Sequence, residues 1–371
     1  MRSPLNLLLL GVPLAFILEW VVPAPPSAVF VVAAIAIIPL AGLLSRATEA
    51  LADRLGTGPG ALLNATFGNA TELIVAFFAL RAGQPEVVKA SLIGSIIGNL
   101  LLVLGFAAFL GGLRYPRLRF DAARVKIRAS LLIIAIIGFL IPAIFDFNVR
   151  ALVDLPDGPS DDADNRLSLG VAIILLALYA ASLIFAFRSR TDPLAGEEAI
   201  AADAAATVAG GAAAPWTPQR AVAILLAATI AIAFMSEFLV DALGGFTTTL
   251  GLSTTFVGLI IIPIVGNAAE HASAVTFALK AKMDLAVGIA LGSALQIALL
   301  VAPLLVLLSW AIGQPMDLVL RSPLELAALI GAVLISNSIA RDGETHWYEG
   351  AMLLGVYAIL ALAFFFTPAA A

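Results

Sequence analysis

Two glutamates carry the chemistry in this sequence. Gly68-Asn69-Ala70-Thr71-Glu72 returns as Gly266-Asn267-Ala268-Ala269-Glu270, and each copy lies inside a long apolar stretch. An ionised acid at the centre of a bilayer costs about 2.5–3.5 kcal/mol or more, so two symmetric acids call for a function. A neutral, hydrogen-bonded packing acid is the alternative, and it would have to apply twice. Paired carboxylates suit a hard cation such as Ca²⁺, which takes oxygen ligands from carboxylates, amides, backbone carbonyls and water. The same carboxylates can take protons. Asn69 stands three residues before Glu72, and Asn267 three before Glu270, a spacing that puts amide and acid on one helix face. Gly68 and Gly266 permit local unwinding, which frees backbone carbonyls as ligands.

A second pair of stretches follows. Gly94-Ser95 returns as Gly292-Ser293. Ser95, Gly98 and Asn99 share one face, and Ser293 and Gln296 share another. These are supporting cation ligands, or they are polar glue between membrane helices. His271 directly follows Glu270 and titrates near neutral pH, so it is a candidate for proton coupling; packing against a neighbouring helix is the alternative. His346 lies near Arg341, Asp342 and Glu344 and reads as solvated. Glu237 and Asp241 stand one turn apart and line an entry path or form a solvated interfacial pair. Glu49 and Asp53 invite the same two readings at the inner end of their span. Asp154, Asp157, Asp161, Asp162 and Asp164 crowd one stretch, which reads as a solvated loop.

The elements that position these residues are membrane helices. Of the 371 residues, 61% are hydrophobic and 12% charged, whereas a soluble domain averages about 25% charged. Apolar runs of about 20 residues, the length that crosses a bilayer as a helix, recur at 5–22, 27–45, 58–81, 86–111, 127–145, 167–187, 220–243, 251–279, 284–310, 322–340 and 347–366. The first is longer than a signal-peptide core and reads as a retained helix. Segments of alternating polarity, needed for a β-barrel, are absent. With a cytoplasmic N-terminus, 15 of the 20 Lys and Arg fall on the cytoplasmic side, in line with the positive-inside rule.

Both motif pairs are 198 residues apart, so no gap separates one motif from the next. The expected fold is therefore all-α and polytopic, with 11 transmembrane helices. Residues 1–26 form a first helix, 27–187 one five-helix repeat, 188–219 a cytoplasmic linker, and 220–371 a second five-helix repeat. Five is odd, so the second repeat enters the bilayer from the opposite side, the inverted topology of many secondary transporters. Glu72 and Glu270 can then meet near the midplane.

Composition excludes other classes. The chain has no cysteine, so thiolate metal sites and cysteine catalysis are ruled out. No basic stretch suggests nucleic acid. A zinc protease needs His-Glu-x-x-His, which Glu270-His271 does not supply, so no enzyme and no cofactor are expected. The sequence assigns no oligomeric state.

These residues resemble the Ca²⁺/H⁺ exchanger (CAX) family within the cation/Ca²⁺ exchanger superfamily. The likeness rests on Gly68 to Leu73 with Gly94-Ser95-Ile96-Ile97-Gly98-Asn99, and on Gly266 to His271 with Gly292-Ser293-Ala294-Leu295-Gln296-Ile297. Pro39 to Leu44 and Ser236 to Asp241 are also similar to family stretches. The resemblance implies eleven helices, the first outside the repeat. It implies cation ligation by Glu72 and Glu270, supported by Asn69, Asn267, Ser95, Ser293 and Gln296. One departure is Ser45-Arg46, where family members often carry Gly-Glu, which argues against an acidic cytoplasmic vestibule there. The expected activity is exchange of Ca²⁺ for H⁺ by alternating access, with Ca²⁺ as transported substrate, in the plasma (inner) membrane. The alternatives are exchange of Na⁺, K⁺ or Mn²⁺ for H⁺, and Na⁺/Ca²⁺ exchange. Sodium sites call for extra Ser, Thr and Asp ligands on the motif helices, whereas spans four and nine carry Asn99 and Gln296 and no acid beyond their first residues, which favours protons.

Overall fold

The computed structural model describes residues 4–55, 57–153, 159–188 and 216–367. Most of the 188–219 linker, and Asp154 and Asp157, lie outside the described residues. A 3₁₀ turn at Pro4–Leu10 leads into α1 (Gly11–Trp20), followed by α2 (Pro26–Leu55), α3 (Thr57–Phe67) and α4 (Ala70–Arg81). Next come α5 (Pro85–Arg114), α6 (Ala122–Val153) and α7 (Pro159–Arg188). The second part holds α8 (Pro218–Leu250), α9 (Thr254–Gly266), α10 (Ala268–Ala278), α11 (Met283–Ala311), α12 (Pro323–Ile339) and α13 (Trp347–Phe365).

The expectation of an all-helical membrane protein holds. Among the described residues seven helices are long and apolar enough to cross a bilayer, and α9 with α10, bent by 61°, makes up to eight; Leu7–Trp20 and α12 are shorter apolar helices. Helix α7 is apolar beyond Arg166 yet exposes most of its surface there, including Ile173, Ile174, Ile184 and Phe185. Such a surface needs a hydrocarbon solvent. Helices α5 and α11 are the most deeply buried spans.

Local chemistry sets the helix ends. Pro85 opens α5, and the hydroxyls of Thr217, Ser253 and Ser322 accept from the first-turn amides of Arg220, Phe256 and Glu325, satisfying donors that a helix start leaves free. Gly251, at φ 65°, closes α8 in the left-handed conformation that glycine adopts without strain. Close packing also relies on glycine: a Cβ on Gly94 would stand 2.1 Å from the carbonyl oxygen of Leu259, so α5 and α9 touch backbone to backbone.

Loops gather at two ends of the bundle. At one end Leu118–Arg119 pairs antiparallel with Glu344–Thr345, and Asp284 accepts from the amide of Asp121 at 2.6 Å. These loops and the last residue of α5 hold Arg114, Arg117, Arg119, Lys280, Lys282 and Arg341. At the other end Lys89 meets Asp317 at 2.9 Å, and Ser168 Oγ accepts from the amide of Leu318 at 2.8 Å.

Several readings need correction. The two-residue strand pair was not expected in an all-α chain. Helix α2 does not stop near residue 45 but runs to Leu55, so Glu49 lies inside it, buried, and accepts from Ser45 Oγ at 3.0 Å. His346 is not merely solvated: its Nδ1 accepts from the amide of Glu349 and caps α13. Asp164 belongs to no solvated loop; it sits in α7 with 0% exposure.

Candidate functional site

Both glutamates sit one turn past a helix break. Between α3 and α4 the chain turns at Gly68–Asn69, with Asn69 at φ −107°, ψ 27°. Between α9 and α10 it turns at Asn267, with φ −92°, ψ 8°. Glycine lowers the cost of leaving the helix, and each asparagine provides a side chain that can bond across the gap. Glu72 and Glu270 follow in the first turns of α4 and α10, where helix N-termini favour negative charge.

The asparagines tie the two breaks to the two most buried helices. Asn69 Nδ2 donates to Gln296 Oε1 on α11. Ser293 Oγ, also on α11, donates to Asn69 Oδ1 at 3.1 Å. In the other direction Asn267 Nδ2 donates to Ser95 Oγ on α5 at 3.2 Å and to the carbonyl of Pro263 at 3.0 Å. Asn99 Nδ2 links the two sets, donating to Ser293 Oγ at 3.0 Å and reaching Asn267 Oδ1 at 3.5 Å. The pattern is reciprocal: each motif's asparagine holds the serine that follows the other motif. Asn69, Asn99, Asn267, Ser95 and Ser293 are all buried, where a satisfied polar network fixes its members firmly.

The first of the two acids approaches the opposite break. Glu72 is buried, and its Oε1 would stand 3.6 Å from a Cβ on Gly266, one turn before Glu270. Glu72 Oε2 is buried with no hydrogen-bond partner, and so is Asn99 Oδ1. Asn99 lies in a π-helical turn, Gly98–Val103, and a second such turn, Ile297–Val301, begins just after Gln296. These wider turns shift side-chain direction and are frequent at functional sites. Glu270 and His271 are half-buried on α10. Among the described residues no group of three or more His, Cys, Asp or Glu gathers to hold a metal ion. The available donors are therefore two carboxylates with amide, hydroxyl and backbone oxygens.

Glu237 and Asp241 are not part of this network. They lie on α8, Glu237 half-buried and Asp241 exposed. One signal in the sequence was overlooked: Glu49-Ala50-Leu51-Ala52-Asp53 and Glu237-Phe238-Leu239-Val240-Asp241 share Glu-x-Leu-x-Asp, 188 residues apart. They lie on α2 and α8, which pack along much of their lengths.

An apolar helical bundle with two broken helices, each carrying a carboxylate, defines the class of membrane cation exchangers. Residues 26–188 and 220–366 match the sodium/calcium exchanger protein family, and the chain belongs to it. The motif resemblance to Ca²⁺/H⁺ exchangers is borne out. The chain is 45% identical to the Ca²⁺/H⁺ antiporter of Synechocystis sp., over 97% of this chain and 96% of that protein. It is 41% identical to the solved Ca²⁺/H⁺ antiporter protein YfkE, with a TM-score of 0.80 and 98% of both chains covered. The solved H⁺/Ca²⁺ exchanger CAX, 16% identical, shares the fold at a TM-score of 0.68 over 97% of this chain and 91% of that one.

Proposed function

We propose that this protein exchanges Ca²⁺ for H⁺ across a membrane, with one site serving both ions. The observation that carries the reading is the buried carboxylate of Glu72, placed against Gly266 one turn before Glu270. Glu72 and Glu270 are the charged ligands. The unpartnered oxygens of Glu72 and Asn99 are natural first contacts for a cation. Asn69, Asn267, Ser95, Ser293 and Gln296 hold the two breaks in register and can add oxygens, as can the carbonyls around Gly68 and Gly266. Likeness to Ca²⁺/H⁺ antiporters above 40% identity favours Ca²⁺ and protons. Exchange of Na⁺, K⁺ or Mn²⁺ for protons, or of Na⁺ for Ca²⁺, has no comparable support.

The mechanism follows from electrostatics. Two carboxylates sharing a low-dielectric site repel each other and lose hydration, so without a cation they hold protons. A divalent ion offsets both penalties and displaces the protons. Exchange results if the empty, charged site does not switch sides. We assign His271 a role in tuning the proton side, and Glu237 and Asp241 a role in a cation entry path along α8.

The test uses vesicles containing the purified protein and a preset pH gradient, to which each cation is added singly. Ca²⁺ is expected to collapse the gradient and Na⁺ to leave it standing; the reverse ranking would overturn the assignment. Repeating the assay across pH with His271→Asn should shift the pH profile, and an unchanged profile would reduce His271 to packing.

The architecture we propose has eleven spans: one helix in 1–26, and inverted five-helix repeats in 27–187 and 220–371 joined by the 188–219 linker. Helices α3 with α4 and α9 with α10 each count as one broken span. Supporting this, the basic loops at 114–121, 280–284 and 340–346 meet at one end of the bundle. By the positive-inside rule that end and the N-terminus face the cytoplasm, in a plasma (inner) membrane. Single cysteines in this cysteine-free chain check the point. One near residue 200 and one near residue 156 should label from opposite sides, and labelling from the same side would contradict inversion.

A further inference from the structure

The two helices that carry the serines of the site start alike. Before α5 the chain turns through Gly83, at φ 72°, and before α11 through Ala281, at φ 58°. Residues 83 and 281 stand at the same 198-residue offset as the motifs. Alanine seldom adopts that left-handed backbone, so its surroundings must hold the turn. Each helix start is then fastened to the chain that leaves the other helix. At one end Lys89, in the second turn of α5 and 5% exposed, donates to Asp317 Oδ1 at 2.9 Å and to the carbonyl of Val319 at 3.1 Å, both in the segment that follows α11. Glu86, one turn earlier, meets the same ammonium at 2.8 Å, so each of its three hydrogens has an acceptor. At the opposite end Asp284, in the first turn of α11, accepts at 2.6 Å from the amide of Asp121, in the segment that follows α5. The offset holds here too: Glu86 corresponds to Asp284, and Asp121 to Val319.

Both fastenings reach firm supports. The segment 314–321 has no helix or strand of its own, and side chains serve its amides. Ser309 Oγ accepts from Met316 at 2.9 Å, Ser168 Oγ from Leu318 at 2.8 Å, and Asp317 Oδ1 from Val319 at 3.0 Å. Asp317 also meets Arg321 at 3.3 Å. Polar groups bonded in this way inside a packed structure rigidify it. On the other side, strand pairing stiffens 118–119, and Asp121 Oδ1 accepts from the amide of Ala123 at 2.9 Å at the start of α6.

We propose that Lys89 and Asp284 are positioning residues for the exchange site. Each pins the start of one site helix, and together they set the height of α5 against α11. Ser95 lies six residues beyond Lys89, about 9 Å along the helix. Ser293 lies nine residues beyond Asp284, about 14 Å along its own. Between the fastenings Asn99 donates to Ser293 at 3.0 Å, a contact that depends on that height. Neither Lys89 nor Asp284 touches the transported ion; they act through the serines, Asn99 and Gln296. The effect on transport rests on the exchange reading above, whereas the fastening itself does not.

Lys89→Met removes the ammonium, keeps a long side chain that buries easily, and leaves Asp317 its contact with Arg321. Asp284→Ala removes the acceptor at the other end. A helix free to slide is in register only part of the time, and apparent affinity falls by that fraction. Each variant should raise half-saturating Ca²⁺ about tenfold in the vesicle assay, while saturating Ca²⁺ restores the register and with it the maximal flux. Lys89→Arg and Asp284→Asn keep a donor and an acceptor and should behave as the wild type. A second readout needs no ion flux. Asn99→Cys with Ser293→Cys, in a chain otherwise without cysteine, should be bridged readily by a short bifunctional thiol reagent, and adding Lys89→Met or Asp284→Ala should cut the yield. Should Lys89→Met fail to fold, Asp284→Ala alone carries both readouts. A drop in maximal flux with half-saturating Ca²⁺ unchanged would mark a folding role only and overturn the proposal. Cross-linking indifferent to both variants would overturn it as well. Wild-type vesicles without Ca²⁺-driven flux would defeat the exchange reading, and the cross-link would still decide the fastening.

Discussion

Glu72→Gln is expected to reduce Ca²⁺-driven proton flux to the background of protein-free vesicles, and Glu270→Gln to do the same. Glutamine keeps the size and one oxygen of the side chain but removes the charge and the exchangeable proton. Removing one partner from a buried charge pair costs about 2–5 kcal/mol, and about 3 kcal/mol is roughly a hundredfold in affinity. Exchange suffers twice, because the variant also lacks a proton to trade. Folding should survive. Glu72 Oε2 has no hydrogen-bond partner to lose, and a neutral amide is easier to bury than a carboxylate. The check is flux in vesicles alongside elution and thermal unfolding of the same preparation. Near-normal flux in either variant would mean that one carboxylate suffices and would falsify the shared site.

Much of this site was legible because repetition is visible without a structure. Two copies of Gly-Asn-Ala-x-Glu and of Gly-Ser at one offset marked the acids, the amides and the helices that carry them. Glycine before asparagine also signalled unwinding, and the chain breaks at both places. The cross-connection was not legible. That Asn69 holds Ser293 while Asn267 holds Ser95 depends on contacts between residues 224 and 172 positions apart, which spacing along one helix cannot supply.

Burial of acids outside the motifs was equally hidden. Asp164 follows a run of loop-like aspartates, and nothing local distinguishes it from Asp162, which is exposed and paired with Arg166. Its environment comes from α6 and from the segment 314–321, both distant in sequence. Glu49 was misplaced for a different reason. The apolar run ends near residue 45, but the helix continues because its later residues pack against α3: a Cβ on Gly60 would strike the carbonyl oxygen of Ala52 at 2.3 Å. Hydropathy reports where lipid ends, not where a helix does.

The central claim is that Ca²⁺ and protons compete for the same carboxylates. Calcium titration of the purified protein at a series of pH values, in weak buffer with a proton indicator, tests it without any need for transport. The prediction is that apparent Ca²⁺ affinity rises with pH, that Ca²⁺ binding releases protons at neutral pH, and that Glu72→Gln loses both effects. Calcium binding with unchanged affinity across pH and no proton release would contradict the account.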